Sequence, residues 1–306
     1  MKLNFKKFVS RKTKGFSGIT HLLIAILLLF LLLYIPIPFT SIYKNIFFQK
    51  WQYIVVLFFV LTGAALLPDL DSNRSTAFFQ LGIFGRLMRT MMKSTSYLVT
   101  TLTRMRDDWI PESQHRCLWH TPFVAFLIGF SLWYFIEPVD IVYFSLWQNA
   151  VETGTVLNVL LKYIPVHICM FLALCSIYIS VGMITFRLFK PLPMNLKRLL
   201  PIIIVGIVFV LLFMFTVNEL RYVGISIGMG YLFHIIGDVF SQGSIPVIWP
   251  IPVITKRKKM MWWRPRFLIF GKIETGSIYN TIIDFVVLAL DLFLFYAIFI
   301  HDKIRT

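Results

Sequence analysis

Seven stretches of this chain stay apolar for about the length of a helix that crosses a bilayer. They fall at about 20–38, 51–67, 120–136, 163–186, 199–217, 222–240 and 281–300. A helical crossing needs roughly 17–25 residues, and in lipid only helices and closed barrels satisfy their own backbone groups. The second run only just reaches that length and the third is short, so either could tilt within protein. Apolar residues make up 58% of the chain and charged ones 14%, whereas a soluble domain carries about a quarter charged. The expected fold class is all-α: a polytopic helical membrane protein of about seven spans.

The opening segment MKLNFKKFVSRKTKG is basic and precedes a leucine-rich run, which is the outline of a secretory signal. The run from His21 to Pro36 is long for such a signal, and IPIPFTS follows it with no A-x-A-like cleavage site. It reads as a retained first span. The joints IPIP, KPLP and WPIPV fall between runs, where proline ends helices.

A formal charge of +16 suits a nucleic-acid partner in a soluble protein. In a membrane protein the same excess marks basic loops on the cytoplasmic side, which argues against nucleic acid here. Basic residues crowd the N-terminal arm, the connection from Arg74 to Arg116, RLFKPLPMNLKR and TKRKKMMWWRPR, while the alternate connections are poor in them. The alternation places the N-terminus in the cytoplasm and the C-terminus outside, in the inner membrane. It divides the chain into a basic arm (1–19), a transmembrane domain (20–252), a basic cytoplasmic loop (253–280), and a last span with a short tail (281–306). The stretch 78–106 spaces its arginines and lysine as an amphipathic helix does, and reads either as an interfacial helix on the inner leaflet or as a cytoplasmic helix packed on the bundle.

The segment GYLFHIIGDVFSQG puts His234 and Asp238 one helical turn apart in apolar surroundings, so both can reach a common object. Either they satisfy one another or they share a metal ion. Other span ends carry similar residues: His21 in GITHLLIA, Asp69 and Asp71 in LLPDLDS, His115 and His120 in HRCLWHTP. In the topology above, all four ends lie at the cytoplasmic membrane surface. Isolated charges there are costly, on the order of 2.5–3.5 kcal/mol for aspartate on insertion scales, and a divalent cation would compensate several at once.

Imidazole with carboxylate suits Zn²⁺, Mn²⁺ or Fe²⁺ better than Mg²⁺ or Ca²⁺. Seven donors exceed what one ion needs, so two or more ions fit, and paired ions can activate water. The cysteines Cys117, Cys169 and Cys175 form no CxxC pair, which offers neither a disulfide framework nor a thiolate site. Arg116, between the two histidines, is either a substrate clamp for phosphate or carboxylate or a positive-inside residue. Asp284 falls near the inner end of the last run. Asp291 falls deeper, paired with another span. Glu274 lies on the inner side but outside the ligand set, and His167 and His301 fall on the outer side.

These motifs resemble those of the YdjM family of inner-membrane proteins, regarded as metal-dependent hydrolases and described also as LexA-binding. THLL, LLPDLD, HRCLWHT, GYLFHIIGD, SQG and IWP occur in the family's order, from about residue 20 to 252, and TGSIYN is similar as well. Three positions depart from the pattern: Cys117 where glycine is common, Ser72 where histidine is, and Asn280 where glutamate is. The two spans within 137–217 look like an insertion. The resemblance implies hydrolysis, and through a distant similarity to the zinc-dependent phospholipase C and single-strand nuclease superfamily, a small or lipid phosphoester attacked by metal-activated water. It also implies a role for Asp71 in orienting an imidazole or taking a proton. Two other classes compete. A transporter would use buried Asp and His as a relay, and a non-catalytic scaffold would offer its basic face to an anionic protein partner.

Overall fold

The computed structural model describes residues 18–35, 50–72, 75–103, 118–188, 193–239, 252–254, 260–262 and 278–301. The helices are α1 (Gly18–Tyr34), α2 (Trp51–Ala64), α3 (Thr76–Leu81), α4 (Ile83–Thr103), α5 (Pro122–Phe135), α6 (Tyr143–Glu152), α7 (Val156–Lys162), α8 (Ile164–Leu188), α9 (Met194–Phe213), α10 (Val217–Val239) and α11 (Ile278–Phe295). Short 3₁₀ turns at Pro68–Asp71 and Leu118–His120 follow α2 and precede α5. Among the described residues, four helical stretches are long and apolar enough to cross a membrane: Trp51–Asp71, Ile164–Thr185, Val217–Val239 and Ile278–Ile300. Three shorter apolar helices, Gly18–Tyr34, Pro122–Phe135 and Leu199–Phe213, coincide with the remaining apolar runs.

One departure from all-α is a small antiparallel ribbon, β1 (Pro252–Ile254) with β2 (Met260–Trp262), at the start of the basic loop. Another is the start of α10, which begins five residues before the apolar run expected at 222. The cause is a capping box in TVNE: the Thr216 amide donates to Glu219 Oε2 (2.7 Å), and the Glu219 amide donates to Thr216 Oγ1 (3.1 Å). Two orphan amides of the first turn are thereby satisfied, so NELR belongs to the helix and not to a loop.

Helix α10 is the centre of the bundle and packs on α1, α2, α5 and α8, with α9 outside against α8 and α11 outside against α1. Glycines set how closely its neighbours approach. A Cβ on Gly230 would fall 2.1 Å from the Leu61 carbonyl oxygen, and one on Gly228 would fall 2.6 Å from Gly129 Cα. The core between these helices is largely apolar around Leu57, Leu61, Ile177 and Ile227, with the buried hydroxyls of Thr62 and Ser180 hydrogen-bonded to each other (2.7 Å), while large side chains of α5, α9 and α11 such as Phe130, Ile202 and Phe285 point outward. That outward apolar surface is what a bilayer solvates.

The two ends of the bundle differ. At one end the chain after α5 pairs with the start of α10: the Tyr143 amide donates to the Phe215 carbonyl and the Val217 amide to the Ile141 carbonyl (both 2.9 Å). Lys50, just before α2, reaches Glu219 there (3.4 Å). The opposite end therefore gathers the start of α1, the turn after α2, the turn before α5 and the end of α10. Those are the four segments that carry the histidines and aspartates.

Candidate metal centre

Each segment presents its donors for a local reason. Thr121 caps α5, accepting from the Val124 amide (3.3 Å) and donating to the Leu118 carbonyl (2.8 Å). With Pro122 at the first helical position, this fixes His120 just outside the helix. On α2 the helix tightens at Pro68 into a 3₁₀ turn carrying Asp69 and Asp71. On α10, His234 and Asp238 lie one turn apart on the inward face, both fully buried. Gly237 beside them leaves room for His21 from α1: a Cβ there would meet His21 Nδ1 at 3.0 Å.

The donors converge. His234 Nε2 lies 3.3 Å from Asp238 Oδ2 and 3.7 Å from Asp69 Oδ1. His120 Nε2 faces the same two oxygens, at 3.6 and 3.8 Å. His21 Nε2 lies 3.5 Å from Asp238 Oδ1, and its ring stacks on that of His234 with centroids 4.0 Å apart. These separations exceed a normal hydrogen bond, about 2.7–3.2 Å. Those to Asp238, 3.3–3.6 Å, match the edge of a tetrahedron built on metal–ligand bonds of 2.0–2.2 Å, about 3.3–3.6 Å, and those to Asp69, 3.7 and 3.8 Å, lie just beyond it. The donor set and its spacing fit a divalent ion.

The imidazole of His234 is oriented from behind. Its Nδ1 lies 2.7 Å from the Ala65 carbonyl oxygen. A carbonyl only accepts, so Nδ1–H donates and Nε2 keeps its lone pair toward the aspartates. Asp71 stands behind His120 at a longer distance, its Oδ2 3.6 Å from His120 Nδ1, beyond a hydrogen bond. It therefore sits on the far side of the ring from Asp69 and Asp238. Among the described residues, two triads place their donor atoms close enough to share an ion, His21–Asp69–His234 and His120–His234–Asp238. Both use His234, so they overlap in one centre. His120, His234 and Asp238 are wholly buried, while Asp69 is 17% exposed, which makes Asp69 the open side.

Of the residues predicted from sequence, His21, Asp69, Asp71, His120, His234 and Asp238 meet here. His115, Arg116 and Glu274 lie outside the described residues. His167 is at the opposite end, its Nδ1 2.9 Å from the Tyr143 hydroxyl. Asp291 is buried in α11 with no hydrogen bond to its carboxylate among the described residues, so the expected pairing with another span is not seen. Asp284 instead joins a polar cluster next to the centre: the Thr20 hydroxyl donates to it (2.7 Å), as does Asn280 Nδ2 (3.1 Å). Asn280 stands where the motif often has glutamate, and Asp284 brings a carboxylate one turn along. An apolar cavity of about 410 Å³ between α5 and α10 is lined by Phe126, Met229 and Leu232 among others. It lies on the opposite face of α10 from His234, since two residues turn a helix by roughly 200°, and it has no part in the centre.

Sequence reading missed two cations. Arg89 and Lys93 of α4 are half-buried on the side of that helix that packs against the Asp69–Asp71 turn. Burial and the neighbouring Arg89 charge lower the Lys93 pKa, against an opposing pull from Asp71. The sequence places both among the cytoplasmic positive charges and on the amphipathic stretch 78–106. Helical periodicity shows that they share a face, but not what the face meets.

A helix-bundle membrane protein with a histidine–aspartate centre buried at one end is the class that fold and site define. The chain belongs to the YdjM inner membrane protein family, whose model matches residues 16–186. It is accordingly a multi-pass protein of the inner membrane. No curated protein and no solved structure matches it. The matched stretch contains His21, Asp69, Asp71 and His120, while His234 and Asp238 lie beyond it. It also runs through most of α8.

Proposed function

We propose that this protein is a divalent-metal-dependent hydrolase of phosphoesters, acting at the cytoplasmic surface of the membrane, with seven crossings and a cytoplasmic N-terminus. The observation that carries the reading is the arrangement of two imidazole nitrogens and two carboxylate oxygens at coordination spacing, drawn from three separate segments. His120, His234 and Asp238 would hold the ion, the two-imidazole, one-carboxylate set of known zinc hydrolase centres. Zn²⁺ or Mn²⁺ suits these donors. Such an ion supplies Lewis acidity toward a phosphoryl oxygen and lowers the pKa of water to about 7.

The chain's own residues do the rest. Asp69, on the open side, accepts a proton from the attacking water. The water oxygen bonds to phosphorus, the phosphorus–oxygen ester bond breaks, and the alcohol leaves with the proton that Asp69 held. Asp71 holds His120 in the orientation that aims Nε2 at the centre. His21 stacks on His234 and closes the inner wall, and the apolar core beneath keeps bulk water out of the bundle.

The test is metal analysis and turnover on one preparation. Protein in lipid nanodiscs, supplied with Zn²⁺ or Mn²⁺, should hold the metal and cleave p-nitrophenyl phosphate or bis-p-nitrophenyl phosphate. Retained metal with no cleavage of either ester would remove the hydrolase and leave the metal centre standing.

A further inference from the structure

Helix α4 is turned opposite to an amphipathic helix of a soluble domain, which buries its apolar stripe. Here Ile83, Phe84, Leu87, Met91 and Leu98 are exposed. The inward arc mixes Arg89, Lys93 and Ser96 with apolar Met88, Met92 and Val99, all buried or half-buried. That arc packs on both site-bearing turns, and the Trp119 indole, next to His120, donates to the Met92 carbonyl (2.9 Å). Such a helix suits an interface in which the apolar side faces lipid. Its cations then face the metal centre.

Arg89 and Lys93 are one turn apart and so adjacent. Like charges at that spacing repel. Arg89 Nε is buried with no hydrogen-bond partner among the described residues, its guanidinium over the Phe78 ring at 5.6 Å. Asp71, outside the ion's ligand set, is the carboxylate that draws on Lys93, so two adjacent cations face one carboxylate and a positive charge is left over for an anionic group.

We infer that Arg89 and Lys93 form a phosphate-binding subsite roofing the His120–His234–Asp238 centre, an inference that rests on the phosphoester reading above and names the part of the substrate they hold. The guanidinium fork and the ammonium take the non-bridging oxygens of a phosphate group, either of a soluble ester or of a lipid headgroup drawn from the leaflet beside α4.

The experiment measures equilibrium binding to protein in nanodiscs, with inorganic phosphate, short-chain phosphatidic acid and short-chain phosphatidylcholine as probes. Arg89→Gln and Lys93→Gln should each weaken inorganic phosphate binding about tenfold, the loss expected for a charge-assisted hydrogen bond, with metal content unchanged. Arg86→Gln, on the exposed side of α4, should leave binding alone, and Arg89→Lys should recover part of it. Phosphatidic acid binding more tightly than inorganic phosphate, and losing affinity in the same variants, identifies the lipid source; equal affinity identifies a soluble one. Unchanged phosphate binding in the double variant, or an equal loss from Arg86→Gln, overturns the subsite. Because the readout is binding, a protein that binds phosphate through these residues without hydrolysing it sinks the enzyme and keeps the subsite.

Discussion

His120 and His234 point their Nε2 atoms at the same two carboxylate oxygens, Asp69 Oδ1 and Asp238 Oδ2, at 3.3–3.8 Å. One imidazole sits at the start of α5 and the other near the end of α10, so the pair measures how accurately two helix ends are brought together.

Metal content follows from that pairing. Purified protein should carry about one Zn²⁺ or Mn²⁺ per chain, since both candidate triads share His234. His120→Ala and Asp238→Ala should each lower affinity by more than about 100-fold, beyond the 10–100-fold typical of residues that only orient a ligand. Elemental analysis with chelator competition reads both. Full occupancy in the Asp238→Ala protein would refute the assignment.

Asp71→Asn gives the graded counterpart. Asp71 lies behind His120, facing Nδ1, so its loss should weaken metal binding about 10–100-fold without abolishing it. A loss as large as that of His120→Ala would make Asp71 a direct ligand.

The packing of α10 on α2 predicts a stability difference. Gly230→Ala would set a Cβ 2.1 Å from the Leu61 carbonyl, which is backbone and cannot step aside. The cost should reach or exceed the 1–3 kcal/mol of overpacking, seen as a fall in Tm and in metal content together. Gly206→Ala, with nothing within 4 Å, should be neutral or stabilising by about 1 kcal/mol or less.

Sidedness is checked by cysteine labelling in intact cells, in a background lacking the native cysteines. Glu137→Cys and Lys162→Cys, an exposed pair at the end away from the centre, should react with an impermeant maleimide added outside. Arg86→Cys should react only after the cells are opened. The reverse pattern would invert the topology.

Much of this was legible in the residues. A bilayer demands long apolar helices, so hydropathy alone located the runs that became α1, α2, α5, α8, α9, α10 and α11. The metal-competent residues could also be named, because charge near hydrocarbon needs a reason and His21, Asp69, Asp71, His120, His234 and Asp238 all stand at span ends. Periodicity likewise disclosed that α4 has two faces. Local signals of this kind depend only on near neighbours in the chain. The rotation of each helix about its axis, and the depth to which it settles, depend on contacts between segments far apart, such as Gly230 against Leu61 and Gly237 against His21. Those contacts decided that Asp71 stands behind His120 instead of beside Asp69, that Asp284 joins Thr20 while Asp291 remains apart, and that Arg89 and Lys93 look inward while the apolar side of their helix looks out.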